Sequence, residues 1–324
     1  MKIVIAGSGS IGCYCGALMS EAGHNVTLFG RARILDPIRD KGLTVTDFSD
    51  LHCHVPARDL TLTEDAACLT DAELVIVTVK AGATATMAGG IAQHTPSSIP
   101  VMSWQNGMEN ARILRTALPE HDVRAGMVPF NVVPLEPACF HRATSGEIVV
   151  QSGPGALDQI LSSVDLPVIE SDDIEAVQWG KLVINLNNAL NALSGLTLKQ
   201  QLLNREWRCL MADQMAEALA VLKAAGHPVV STTPLPAWMT PYILRLPTPI
   251  FTRIAARMLT IDPSARTSMA YDLSAGRPTE IDSLQGEIIR LGAQSGVATP
   301  ICQTVRELIE TPPAAPMSPG QILG

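Results

Sequence analysis

Over its first half the chain alternates short β-branched runs with stretches of helical periodicity. Residues 2–6 (KIVIA) form an apolar run that stops at glycines and predict a buried strand. Ile11 to Ala22 follows with helical spacing and ends at Gly23, and Asn25 to Phe29 predicts the next strand. Together these make one βαβ unit inside about 30 residues. Glu73 to Val79 is the strongest later strand, Ile99 to Trp104 is another, and Val123 to Val133 and Glu147 to Gln151 read as extended. Strands alternating with helices predict a doubly wound, mainly parallel sheet, and the pattern stops near residue 170.

From Ser171 the pattern turns helical. SDDIEAVQWGKLVINLNNALNAL opens with a serine cap and an acidic first turn, then stays apolar for several turns. A second helix fits Asn204 to Ala225 and ends at Gly226. His227 to Pro249 carries prolines at 228, 234, 236, 241, 247 and 249, which predicts an irregular excursion rather than a long helix. Helical patterning resumes around Ile250 to Thr260. A last clear helix opens at Pro278-Thr279-Glu280, with Thr279 and Asp282 spaced for capping and Ile281, Leu284, Ile288 and Leu291 on one face. From Thr311 the segment TPPAAPMSPGQILG reads as a poorly ordered tail.

The 324 residues suit two domains of about 150 residues each. With 47% hydrophobic and 17% charged residues, each domain can bury a core, and wholesale disorder is excluded. A formal net charge of −8 argues against nucleic acid as a partner, while leaving room for a local basic pocket. The seven cysteines show no CxxC pair, and Cys13-Tyr14-Cys15 is too tight for zinc; reduced thiols in a cytoplasmic protein are expected. The seven histidines show no metal-ligand spacing, so no metal site is expected. Glycines interrupt the N-terminal apolar run before it reaches signal-peptide length, and nothing approaches about 18 uninterrupted apolar residues, so no membrane span is expected.

Candidate chemistry begins at Gly7-Ser8-Gly9-Ser10-Ile11-Gly12, a GxGxxG motif between a strand and a helix. In that context Gly7 permits the tight turn, Gly9 lets backbone approach a pyrophosphate, and Gly12 lets helix and strand pack closely. The helix start offers N–H groups to the anion. The expected fold is therefore an α/β N-terminal Rossmann-type dinucleotide-binding domain over residues 1–170 plus an all-helical C-terminal domain over 171–324. After the second strand, where an NAD site usually carries Asp or Glu for the ribose, the sequence reads Phe29-Gly30-Arg31-Ala32-Arg33. Arg31 can grip a 2′-phosphate, which favours NADP as cofactor.

Lys181 stands in a mostly apolar helix, where an ammonium either snorkels to water or serves a function. Asn185 and Asn188, four and seven residues on, share its face. A lysine with amides on one stripe can bind and protonate a polarised carbonyl, and partial burial would lower its pKa and sharpen it as a general acid.

With these residues in view, the chain resembles the ketopantoate reductases (2-dehydropantoate 2-reductases) over nearly its whole length. The resemblance rests on GSGSIG, Arg31, Val77-Thr78-Val79-Lys80-Ala81, Gln105-Asn106-Gly107-Met108, Trp179-Gly180-Lys181-Leu182-Val183-Ile184-Asn185, Ser268-Met269, and Gly276-Arg277-Pro278-Thr279-Glu280-Ile281-Asp282. It implies hydride transfer from NADPH to a 2-oxo acid, with ketopantoate reduced to pantoate as in pantothenate biosynthesis. It implies Lys181 as proton donor, Lys80 and Asn106 near the cofactor's ribose and nicotinamide, and Asn185, Ser268 and Glu280 toward the substrate. Where the family commonly has a second substrate asparagine this chain has Ala189, with Asn188 one residue before it, and the family asparagine preceding the next helix has no clear match in Leu196–Gln200. Two alternatives remain: a sibling reductase of another 2-oxo acid, and a catalytically silent NADP-binding sensor. The helical second domain could supply a homodimer interface.

Overall fold

Strand β1 (Lys2–Ala6) is buried on both faces, as a central strand of a doubly covered sheet must be. Ile3 and Ile5 enter one apolar layer with Leu28, Leu74 and Ile76, while Val4 and Ala6 enter another with Val75, Val77, Val101 and Leu114. The structure, a computed structural model, describes residues 1–231, 235–259 and 262–323, and the chain divides into two units, Met1–Ile174 and Glu175–Gly324.

The first unit contains eleven further strands: β2 (Asn25–Phe29), β3 (Leu43–Asp47), β4 (His52–Val55), β5 (Leu60–Thr63), β6 (Leu74–Val77), β7 (Val101–Ser103), β8 (Val123–Met127), β9 (Val132–Glu136), β10 (Cys139–Arg142), β11 (Ile148–Gln151) and β12 (Val168–Ser171). Eight of the strands form a sheet in the order β12-β11-β8-β7-β6-β1-β2-β5. Its neighbours run parallel except β8 with β11. Helices α1 (Ser10–Glu21), α2 (Ala32–Lys41), α3 (Thr84–His94), α4 (Glu109–Ala117) and α5 (Leu157–Leu161) make the connections. The Rossmann-like α/β fold is thus the one expected.

A second sheet, β4-β3-β10-β9, was not expected from the sequence. Its strands are short, and their polar alternate positions weaken the apolar signal; the extended run 123–133 divides around Pro129 into β8 and β9, which belong to different sheets. The second sheet lies on α1, which contacts strands of both sheets. That explains why Cys13 to Met19 is buried all round the helix, a pattern found where no face meets water.

The second unit is helical: α6 (Ile174–Asn185), α7 (Asn187–Ser194), α8 (Leu198–Leu203), α9 (Arg205–Ala225), α10 (Thr240–Leu244), α11 (Thr248–Ile254), α12 (Ser268–Ser274), α13 (Glu287–Ser295), α14 (Pro300–Glu310) and α15 (Pro319–Leu323). The single helix expected over 171–193 is divided. Its first residue ends β12, and Leu186 separates α6 from α7 because the Leu186 carbonyl accepts from the Gln285 side chain (2.8 Å). The proline-rich stretch contains two short helices, α10 and α11, fastened by a buried arginine. Arg208 on α9 donates to the carbonyls of Leu202, Leu244 and Leu246 and stacks on Phe251. Pro234 and Thr260 lie outside the described residues. The helix at 278–295 begins with a π-helical turn, Asp282–Gly286; Ile281, Leu284, Ile288 and Leu291 are buried as expected, whereas no side chain caps its start.

The tail expected to be poorly ordered from residue 311 instead docks. The Met317 N–H donates to the Leu193 carbonyl (2.9 Å), and Pro319 and Ile322 are buried against α9 and α14. Its few apolar residues find cover that the segment's own proline-rich composition did not signal.

Candidate active site

In the first unit, the residues singled out for the cofactor leave the carboxyl ends of four adjacent parallel strands, β2, β1, β6 and β7, where open α/β sheets bind their ligands. The glycine loop follows β1. Gly7 has φ +122°, and a Cβ on Gly12 would stand 2.2 Å from the Gly7 carbonyl oxygen, so neither position tolerates a side chain. At Gly9 a Cβ would meet nothing within 4 Å, so the loop's outer backbone faces open space. Gly9 caps α1 without a side-chain hydrogen bond, and the first turn, Ser10-Ile11-Gly12, holds no acid. Exposed N–H groups over a cradle that a Cβ would fill suit a pyrophosphate. Ser8 is buried behind this rim.

Lys80 follows β6 and is exposed, and Asn106 follows β7 and is half-buried. A buried chain of polar side chains holds their loops together, and sequence reasoning assigned it no role. Gln105 donates to the Val79 carbonyl and to the Thr84 hydroxyl (both 2.8 Å) and accepts from Ser103 (2.9 Å). Thr84 donates onward to Asn110 (2.8 Å), and Asn110 donates to the Asn106 carbonyl (2.6 Å). Of these side chains the sequence marked only Gln105, as part of the Gln105-Asn106-Gly107-Met108 motif.

Arg31 is exposed at the start of α2, and its guanidinium makes no ion pair with a described residue. The sequence shows no carboxylate at this strand end, but the sheet delivers one. Glu64, which follows β5, accepts the Ala32 N–H at 2.7 Å. Strand order, not strand sequence, makes Glu64 a neighbour of Arg31.

In the second unit, Lys181 lies on α6 and is half-buried, and desolvation lowers its pKa from the ordinary lysine value to about 8. Its helix is firmly seated. Gly180 lies so close to residue 230 that a Cβ would stand 1.8 Å from the Val230 carbonyl oxygen. Trp179 donates to Glu175 (3.2 Å) and packs against His227. Asn185 and Asn188 are buried, and among the described residues neither amide side chain makes a hydrogen bond. Ala189 is fully buried and adds nothing to this polar stripe.

Ser268, exposed at the first position of α12, is joined to the stripe through Thr267, whose hydroxyl donates to the Asn188 carbonyl and whose N–H donates to Asn191 (both 3.0 Å). Asn191 and Asn187 share Gln201 in a buried amide cluster. Glu280 is half-buried just before the π-helical turn, and Gln285 of that turn donates to Leu186 between Asn185 and Asn187. Asn185 and Asn188 thus flank the α6–α7 junction, which Thr267, next to Ser268, and Gln285, five residues after Glu280, both reach by hydrogen bonds; Lys181 lies one turn before it on α6. π-helical turns are frequent at functional sites, and this one begins two residues after Glu280. Asn187, Asn191, Gln201, Thr267 and Gln285 escaped sequence reasoning because their partners lie up to about a hundred residues away.

Comparison with known proteins bears on both units. The family profile described as "Ketopantoate reductase PanE/ApbA" matches residues 3–155, and its C-terminal counterpart matches residues 173–312. The chain belongs to the ketopantoate reductase family. The family's members are oxidoreductases acting on a CH–OH group, and the chain is such an enzyme. A 2-dehydropantoate 2-reductase of Halobacterium salinarum is 25% identical over 318 residues, covering 95% of this chain and 98% of that protein. The crystal structure of a PanE/ApbA family ketopantoate reductase from Ralstonia eutropha is 30% identical, covers 96% of this chain and 98% of its own, and has a TM-score of 0.81. D-mandelate dehydrogenase, solved with NADH and anilino(oxo)acetate, has the same fold at 23% identity and a TM-score of 0.76, covering 96% of this chain and 98% of its own. The ketopantoate reductase fold thus also serves an enzyme with a different name. No described helix is long and apolar enough to cross a membrane.

Proposed function

We propose that the chain is a cytoplasmic, NADPH-dependent 2-oxo acid reductase that converts 2-dehydropantoate to pantoate. The observation that carries this reading is Lys181, half-buried with a pKa near 8, beside two buried asparagine amides that have no described partner. Residues 1–170 hold the dinucleotide in this reading, and residues 171–324 receive the substrate. When bound, NADPH supplies a hydride to the 2-oxo carbon. Lys181, cationic at neutral pH, hydrogen-bonds the keto oxygen and gives it a proton as negative charge develops there. Asn185 and Asn188 donate to substrate oxygens, while Ser268 and Glu280 orient the terminal hydroxyl. Gly7, Ser8, Gly9, Ser10, Ile11 and Gly12 cradle the pyrophosphate, Arg31 pairs with the 2′-phosphate, and Lys80 and Asn106 hold the ribose and nicotinamide end.

Two measurements test this. NADPH should bind more tightly than NADH, and Arg31→Ala should cost about 1.5–3 kcal/mol of NADPH affinity while leaving NADH nearly unchanged; equal wild-type affinities would remove NADPH from the reading. NADPH consumption with ketopantoate, against a panel of other 2-oxo acids, tests the substrate. A second reading, a sibling reductase of another 2-oxo acid, is favoured by Ala189, which stands where the resemblance places the family's second asparagine, with Asn188 one residue earlier. It wins if ketopantoate is inert and another 2-oxo acid is turned over. A homodimer belongs to the same proposal, the state named for a Staphylococcus aureus ketopantoate reductase of this fold, and sedimentation tests it.

A further inference from the structure

Strand β5 runs parallel beside β2 with Thr63 opposite Phe29, and the Gly30 N–H donates to the Thr63 carbonyl (3.0 Å). The residues that leave these strands, Glu64 on one and Gly30-Arg31 on the other, therefore emerge side by side. Glu64 then turns its carboxylate onto the start of α2, accepting the Ala32 N–H at 2.7 Å. Helix α2 has no acid in its own first turn and no side-chain cap of its own, so Glu64 fills that role from outside. Neither Arg31 nor Arg33 neutralises it: among the described residues neither guanidinium makes an ion pair.

Two opposed signals thus meet at one strand end. An arginine there accommodates a 2′-phosphate, whereas a carboxylate there accepts a hydrogen bond from an unphosphorylated ribose 2′-hydroxyl. A dianionic phosphate gripped by Arg31 must approach the mouth of α2, where the Glu64 carboxylate repels it. The unphosphorylated ribose meets no such penalty. We propose that Glu64 is a specificity-determining residue that narrows the preference for NADPH over NADH, an inference that rests on the cofactor reading above. The chain accepts both dinucleotides more evenly than Arg31 alone would allow.

The test is a fluorescence titration of the full-length protein with each reduced dinucleotide, comparing wild type with Glu64→Gln. Glutamine keeps an oxygen for the Ala32 N–H, so the variant removes charge without uncapping the helix. The ratio of the NADH Kd to the NADPH Kd should rise about tenfold in the variant, or about 1.4 kcal/mol. A ratio within twofold of wild type, or one moved toward NADH, overturns the proposal while leaving the cofactor reading in place. A wild-type protein that binds neither dinucleotide overturns both.

Discussion

If Lys181 is the proton donor proposed above, stability and chemistry oppose each other in one side chain. The folded chain releases its proton near pH 8, whereas an unfolded lysine keeps it to about 10.4. Between those values the unfolded state binds more protons, so this residue makes stability rise with pH there; below about 8 the cost of burying the cation is fully present. Lys181→Met should accordingly be more stable than wild type at pH 7 while kcat falls by about 10²–10⁴. Denaturant melts and turnover of the same preparation check both, and a variant that keeps turnover within a few-fold of wild type would leave the lysine a structural residue. The wild-type rate should be flat below pH 8 and fall about tenfold per unit above it, since only the protonated amine donates. The residue types of this site were legible in the sequence: an ammonium and two amides at helical spacing in an apolar segment. The direction of the lysine pKa was legible too, because burial penalises charge wherever the helix packs. Glu64 was not, because its neighbour Arg31 is fixed by which strand lies beside β2.

Individual elements hold these side chains through contacts that local propensity does not encode. Arg208 is fully buried and spends its donors on the carbonyls of Leu202, Leu244 and Leu246, so a proline-interrupted segment gains a fixed path along α9. Arg208→Met should cost about 3 kcal/mol or more, because three carbonyls, two of them buried, lose a charged donor together. Chemical denaturation measures it, and a loss below about 1 kcal/mol would show that the segment is held mainly by its apolar contacts. At the glycine loop, Gly12→Ala would push α1 away from the Gly7 carbonyl. Dinucleotide affinity should fall by at least about tenfold, read by the same fluorescence titration. Glycine was recognisable there from its motif. The division of the lysine helix at Leu186 was not, since Gln285, which takes the Leu186 carbonyl, lies 99 residues away.

For the whole molecule, the two-part plan was legible as a change of period near residue 170: alternating strands and helices before it, helices alone after it. Chain length and hydrophobic content sufficed for two cores. The C-terminal tail departs from that reading. Removing residues 312–324 would uncover the sites occupied by Pro319 and Ile322 and cost about 2–4 kcal/mol. Differential scanning calorimetry of the truncated chain should show a lower melting transition, and an unchanged one would mean the docked tail contributes nothing.

The sequence by itself determined the strand that carries the glycine loop, the helical second half, and the identity of the ammonium, guanidinium and amide groups, because short-range periodicity and side-chain chemistry are local. Only the tertiary structure decided the second sheet over α1, the amide clusters that fix Asn106 and Ser268, the docking of the tail, and the carboxylate beside Arg31. Each of those depends on which distant segments become neighbours. Strand order and the pairing of buried polar groups between separate segments settle that.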